Sequence, residues 1–265
     1  MFEHKPIGIF DSGVGGLSIV EEVFKQIPDA DIIYFGDTAH VPYGPRPAEE
    51  LIRFADEITH FLIREGAGVI IDACNSTSSV ALDHLQEKYS NPIIGVIMPG
   101  IKSAIKLTKN GRIGVIGTET TIKSGSHAKN AAILDSDIKV FGQACPQFVP
   151  LVERGDVHSK RAYEAAEEYV TKLMEKNIDT LILGCTHYPY LRDVITAILG
   201  SEVKIVDPAI ETVKEANLIF NSSGKPLQKK NKKEIYYVSG DPNSFRKVGS
   251  KLTGKLLPEV KKVIL

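Results

Sequence analysis

The sequence predicts an α/β protein of two similar, pseudo-symmetric halves, each a mostly parallel sheet flanked by helices, with the site in the cleft between them. Three observations carry this expectation. Short β-branched runs ending at Gly, Asp or Pro alternate with longer amphipathic stretches, the pattern of parallel strands covered by helices. Four such runs in the first half are matched in order by four in the second. The matched runs also share local sequence: Ile7-Gly8-Ile9 answers Ile113-Gly114-Val115, and Phe35-Gly36 answers Phe141-Gly142 at the same offset.

Taken in order, the first half places strands at Pro6–Phe10, Asp31–Asp37, Gly68–Cys74 and Pro92–Ile97. The second places them at Arg112–Gly117, Ile138–Gln143, Asp179–Cys185 and Val203–Val206. Each is a short run rich in Ile, Val, Leu or Phe. The segment Val96-Ile97-Met98-Pro99-Gly100-Ile101 is echoed by Ile205-Val206-Asp207-Pro208-Ala209-Ile210, and each then enters a helix. A polar, lysine-rich stretch from Asn221 to Lys233 reads as an exposed connection, followed by a strand at Glu234–Ser239 and a last helix from Asn243 onward. A strand and a helix alone bury no core, so this tail is assigned to the first half. The expected domains are therefore 1–97 plus 208–265, and 98–207.

Composition narrows the function. The 32 basic and 33 acidic side chains nearly cancel, so no global field draws the chain to nucleic acid or to an anionic membrane, and small molecules are the expected partners. The segment Met1 to Phe10 lacks a charged-then-apolar leader pattern, and no apolar run approaches the roughly 20 residues that span a bilayer. A cytoplasmic protein is expected. Three scattered cysteines make no disulfide framework, so each is expected to be a free thiol.

Open parallel sheets bind ligands outside the carboxyl ends of their strands, so the residues there are the candidates. After strand one, Asp11-Ser12-Gly13-Val14-Gly15-Gly16 offers a carboxylate, a hydroxyl and a glycine turn whose amides can hold an anion such as a substrate carboxylate. A dinucleotide reading uses the same turn, with Asp37 for a ribose, but has Ser18 where the fingerprint has its third glycine. After strand two, Asp37-Thr38 precedes His40-Val41-Pro42-Tyr43-Gly44-Pro45, a proline-stiffened loop carrying a phenol. Gly117-Thr118-Glu119-Thr120-Thr121 supplies hydroxyls, Thr118 and Thr121 among them, for a carboxylate in the second half.

The third strand of each half carries the sharpest signal. Ile71-Asp72-Ala73-Cys74-Asn75-Ser76 and Leu183-Gly184-Cys185-Thr186-His187-Tyr188 each put a cysteine at a strand exit, followed at once by polar residues. One buried cysteine is ordinarily an inert small hydrophobe. Two at equivalent repeat positions point to a reactive pair. Cys145 has no repeat partner and is read as structural. Zinc sites in most cases need three or four ligands, and neither Cys-x-x-Cys nor a histidine pair at ligand spacing is present, so no metal is expected and a dithiol redox couple lacks its local signature. Inversion of a carbon centre suits such a pair: one thiolate removes the proton and a thiol on the opposite face returns it. Only a few per cent of an ordinary thiol, of pKa near 8.5, is ionised at pH 7, so Asp11 beside Cys74 and His187 beside Cys185 are the expected helpers.

These segments, with Gly36-Asp37-Thr38-Ala39, Pro42-Tyr43-Gly44 and Gly184-Cys185-Thr186-His187-Tyr188-Pro189, resemble the signature set of the bacterial glutamate racemases over nearly the whole chain. The resemblance implies interconversion of L- and D-glutamate to supply D-glutamate for peptidoglycan, no pyridoxal phosphate or metal cofactor, and a homodimer. It assigns Cys74 and Cys185 as the acid/base pair. It makes Asp11, Ser12, Tyr43, Gly44, Asn75, Ser76, Thr186 and His187 substrate contacts or supports, and it gives supporting roles to Asp37 and Glu153. The chain departs from the family pattern at Ser76 (Thr in most members), at Thr77-Ser78, at His40 (commonly Arg) and at Met98 (often an acid). Two other readings stay open: aspartate as the substrate, and a non-catalytic amino-acid-binding module.

Overall fold

The structure, a computed structural model, describes residues 5–222 and 232–265. Its first run is β1 (Ile7–Asp11), α1 (Leu17–Gln26), β2 (Ile32–Gly36), α2 (Ala48–Arg64), β3 (Val69–Asp72), α3 (Asn75–Ser78), α4 (Leu82–Lys88) and β4 (Ile93–Gly95). The second is α5 (Ile97–Leu107), β5 (Arg112–Gly117), α6 (Glu119–Ser124), α7 (Ser126–Leu134), β6 (Lys139–Ala144), α8 (Phe148–Glu153), α9 (Lys160–Met174) and β7 (Thr180–Gly184). A 3-10 turn over Tyr188–Leu191, α10 (Arg192–Leu199) and β8 (Lys204–Val206) complete it. The chain ends with α11 (Ala209–Phe220), β9 (Glu234–Val238), α12 (Pro242–Thr253) and β10 (Val260–Lys262).

The strands form two all-parallel sheets, ordered β10-β9-β2-β1-β3-β4 and β6-β5-β7-β8. The order β2-β1-β3-β4 is the order β6-β5-β7-β8, so the repeat in the sequence is also a repeat of topology. Every residue of β1, β2, β3 and β7 is buried, because helices cover both faces and leave no polar side to alternate with. α2 shows the packing logic. Leu51, Phe54, Ala55, Ile58 and Leu62 recur at helical spacing and form its buried face, and truncating Leu62 to Ala would cost about 2–5 kcal/mol. On the opposite face of the first sheet, Val213, Ala216 and Phe220 of α11 pack with Ile7, Ile9 and Val20. In α5, Ile101 and Ala104 pack instead with Val115, Ile182 and Val206 of the second sheet.

Several elements differ from the expected bounds. Strand three of each half stops before its cysteine: the Cys74 carbonyl accepts the Ser78 amide at 2.9 Å and the Cys185 carbonyl the Tyr188 amide at 3.1 Å, so each thiol sits on a turn leaving the sheet. The run Pro92–Ile97 is strand only over β4, since Ile97 already opens α5, with Pro99 in the first turn where no amide is required. β10 was not foreseen; it is three residues long, two of them lysines. Most of the Asn221–Lys233 connection, residues 223–231, lies outside the described residues. Among the described residues no helix is long and apolar enough to cross a membrane.

Candidate active site

The glycine turn after β1 does not cradle a substrate anion with the amides expected of it, because the protein's own carboxylates occupy them. Asp11, fully buried, accepts the amides of Gly13 (3.1 Å) and Gly16 (3.0 Å) on Oδ2, and Glu153 accepts that of Val14 (3.2 Å). The glycines serve another need. A Cβ at Gly13 would overlap the Glu153 carboxylate, and one at Gly15 would overlap the His187 imidazole and the Thr186 hydroxyl. Bare backbone thus lets three residues of the second half seat against the first. The Thr186 hydroxyl completes the junction by donating to Asp11 Oδ1 at 3.0 Å.

On the second side, Cys185 Sγ lies 3.6 Å from His187 Nδ1, and His187 Nε2 lies 2.7 Å from Glu153 Oε1. Burial alone would push the His187 pKa down, but its contacts with Cys185 and Glu153 outweigh this and hold it well above the usual value. An imidazolium donates from both nitrogens, one to a thiolate at Cys185 and one to Glu153. Cys74 has the opposite setting. Burial pushes its thiol far up; the charge of Asp11 adds to the effect, as does that of Asp72 when ionised. The two thiols, 5% and 6% exposed, therefore have unlike neighbours.

Cys74 packs with Tyr43, Leu51 and Phe54. The Tyr43 phenol donates to Asp37 Oδ2, while Asp37 Oδ1 accepts from Ser239 at 2.6 Å and lies 2.9 Å from His40 Nδ1. Asp37 is thus a brace for the Tyr43 loop, with no oxygen left for a ribose. Since the Gly13 amide is also taken, and Gly15 is closed over by Thr186 and His187, the dinucleotide reading loses its partners. Ser76 Oγ lies 2.9 Å from Thr118 Oγ1, itself 2.9 Å from Thr121 Oγ1, a chain of buried hydroxyls linking the two halves. The Gly44 carbonyl accepts the Thr120 amide (3.2 Å) and hydroxyl (2.8 Å), fixing the loop against α6. Asn75 is buried with Oδ1 unpartnered, and Ser12 is buried beside Asp11. Pro42 is exposed. Cys145 is fully buried, under the Tyr188 phenol that donates to its carbonyl. Sequence reasoning missed Ser239, which reaches Asp37 from the far end of the chain, and Tyr34, whose phenol donates to the Gly13 carbonyl at 2.7 Å. Neither carried a signal beyond lying in a strand run. Among the described residues no group of three or more His, Cys, Asp or Glu is placed to hold a metal ion.

Two parallel sheets, each with a thiol, titratable side chains and hydroxyls at its carboxyl edge, are the architecture of an α/β isomerase. Residues 14–216 match the Asp/Glu/Hydantoin racemase family, and the chain belongs to that family of amino-acid racemases. It is 45% identical over 256 residues to the glutamate racemase of Desulforudis audaxviator, covering 94% of each chain. Among solved structures it resembles a glutamate racemase isoform of Bacillus anthracis (TM-score 0.94, 39% identity, 99% and 98% of the two chains). It also resembles the Francisella tularensis glutamate racemase in complex with D-glutamate (TM-score 0.90, 36% identity, 99% and 97%).

Proposed function

We propose that this racemase interconverts L- and D-glutamate by a two-base mechanism needing no added cofactor, and that its product D-glutamate feeds peptidoglycan synthesis. The observation that carries the reading is the pair of buried thiols, Cys185 with Sγ 3.6 Å from His187 Nδ1 and Cys74 packed with Tyr43, each at the same point of a repeated sheet. Cys185 as thiolate takes the α-proton from one enantiomer, and Cys74 as thiol delivers a proton to the opposite face. The reverse reaction starts from the complementary protonation state. Glu153 and His187 stabilise the thiolate of Cys185, while Asp11 holds the turn that joins the two sides. Asn75, Ser76, Thr118, Thr121, Thr186, Tyr43, Gly44 and Ser12 surround the substrate with polar groups. Because both thiols are nearly buried, the halves must part for substrate to enter. We also infer a homodimer from the resemblance to the family, to be checked by sedimentation velocity. The activity itself is tested by circular dichroism on both enantiomers of glutamate and of aspartate without cofactor. Loss of signal is expected from glutamate of either hand; racemisation of aspartate alone, or of neither, would contradict the reading.

A further inference from the structure

Asp72 has no part in the chemistry above, yet it lies two residues before Cys74 and is fully buried at the end of the otherwise apolar strand β3. Its Oδ1 lies 2.5 Å from Thr77 Oγ1, and that hydroxyl oxygen lies 3.1 Å from the Cys74 carbonyl oxygen. Its Oδ2 has no hydrogen-bond partner. The Ser78 hydroxyl donates to the Asp72 carbonyl at 3.0 Å, tying the same turn back to the strand. Thr77 is fully buried too.

A carboxylate with one oxygen unpaired and no cation beside it is costly in such a place, whereas a carboxylic acid is tolerated. Burial pushes the group up to about 8, and the charge of Asp11 adds to this against the Thr77 and Ser78 hydroxyls and the Cys74 amide, which pull it down. The titratable groups that face Asp72 are Asp11, at the end of the neighbouring β1, and the Cys74 thiol. From β4 its partner is Gly95, and α3 meets it with the hydroxyls of Thr77 and Ser78.

We propose that Asp72 is a positioning residue for Cys74: as a neutral acid it donates to Thr77 Oγ1, and Thr77 passes its own hydrogen to the Cys74 carbonyl. In this form every hydrogen has an acceptor, and no second anion stands beside Cys74. Ionising Asp72 turns the Thr77 hydroxyl to the carboxylate, releases the Cys74 carbonyl, and sets a negative charge against the Cys74 thiolate. The half-reaction in which Cys74 removes the proton must therefore weaken as Asp72 ionises. This rests on the two-base reading.

The test compares wild type with Asp72→Asn, Asp72→Leu and Thr77→Val, measuring kcat and KM for each glutamate enantiomer from about pH 6.5 to about 9.5. The direction served by Cys74 is the one whose HX elimination from a β-substituted substrate survives in Cys185→Ser. Asn, an uncharged donor to Thr77, should retain the most activity and lose the alkaline decline in that direction alone. Leu and Thr77→Val should lower kcat there by about tenfold with little change in KM. An Asn variant with the wild-type alkaline profile, or Asn and Leu variants with the same kinetics, would overturn the proposal. If Asp72→Asn does not fold, Thr77→Val decides: an unchanged kcat in the Cys74 direction refutes the link. Cys74→Ser separates the two levels, since full racemisation by that variant removes the two-base reading itself.

Discussion

At the scale of single residues, the cysteines stood out because a repeat doubled them, and the bonds around them were legible only in part. His187, expected to help Cys185, lies beside its sulfur; Asp11, expected to help Cys74, is near enough for its charge to act on that thiol and also accepts the Thr186 hydroxyl across the cleft. Sequence cannot show that a carboxylate spends its oxygens on the turn next to it. Three consequences belong here. Glu153→Gln keeps an acceptor for His187 but removes the charge favouring the imidazolium, so kcat should fall by about 10- to 100-fold with KM little changed; equal kcat in steady-state assays would remove Glu153 from the mechanism. Asn75→Ala should raise KM by the equivalent of about 1–3 kcal/mol, while Ser76→Thr, which keeps the hydroxyl facing Thr118, should behave as wild type. The third concerns pH. The folded pKa of His187 is raised, so its stabilisation is fully present below the unfolded value near 6.5 and is lost as pH rises through the folded value. The difference in melting temperature between wild type and His187→Gln should accordingly shrink as the pH is raised; a difference that grows would refute the imidazolium assignment.

At the scale of elements, the alternation of buried runs with amphipathic ones located all eight strands of the two repeats, because a sheet covered on both faces writes itself as continuous apolar sequence. Its ends were less legible, since they are fixed by turn hydrogen bonds such as Cys74 carbonyl to Ser78 amide, which composition does not reveal. The β1–α1 turn is the instructive misreading. Its glycines looked like an anion cradle, and in the structure they make room for Glu153, Thr186 and His187. Gly15→Ala should therefore displace His187 from Cys185 and lower kcat by at least about tenfold, and a variant with wild-type turnover would show that the close seat is not needed. We propose domain limits at 97/98 and 207/208, where α5 and α11 each turn to the sheet they pack against.

At the scale of the whole molecule, the repeated order β2-β1-β3-β4 and β6-β5-β7-β8 turns one ligand-binding edge into two that oppose one another. Inversion of a stereocentre asks for such an arrangement, and a two-base mechanism makes both thiols obligatory. Activity should survive exhaustive chelation and carbonyl-trapping reagents, since the two thiols need no electron sink; inactivation by a chelator, reversed by added metal, would contradict it. The most direct measurement of the central claim is deuterium incorporation during early turnover in deuterated water, started from one pure glutamate enantiomer. Two bases on opposite faces predict deuterium at the α-carbon of the product enantiomer and none in the recovered starting enantiomer, with the same result from the other hand. Deuterium appearing in the starting enantiomer as fast as in the product, or product retaining the original proton, would mean a single base serves both faces and would contradict the account.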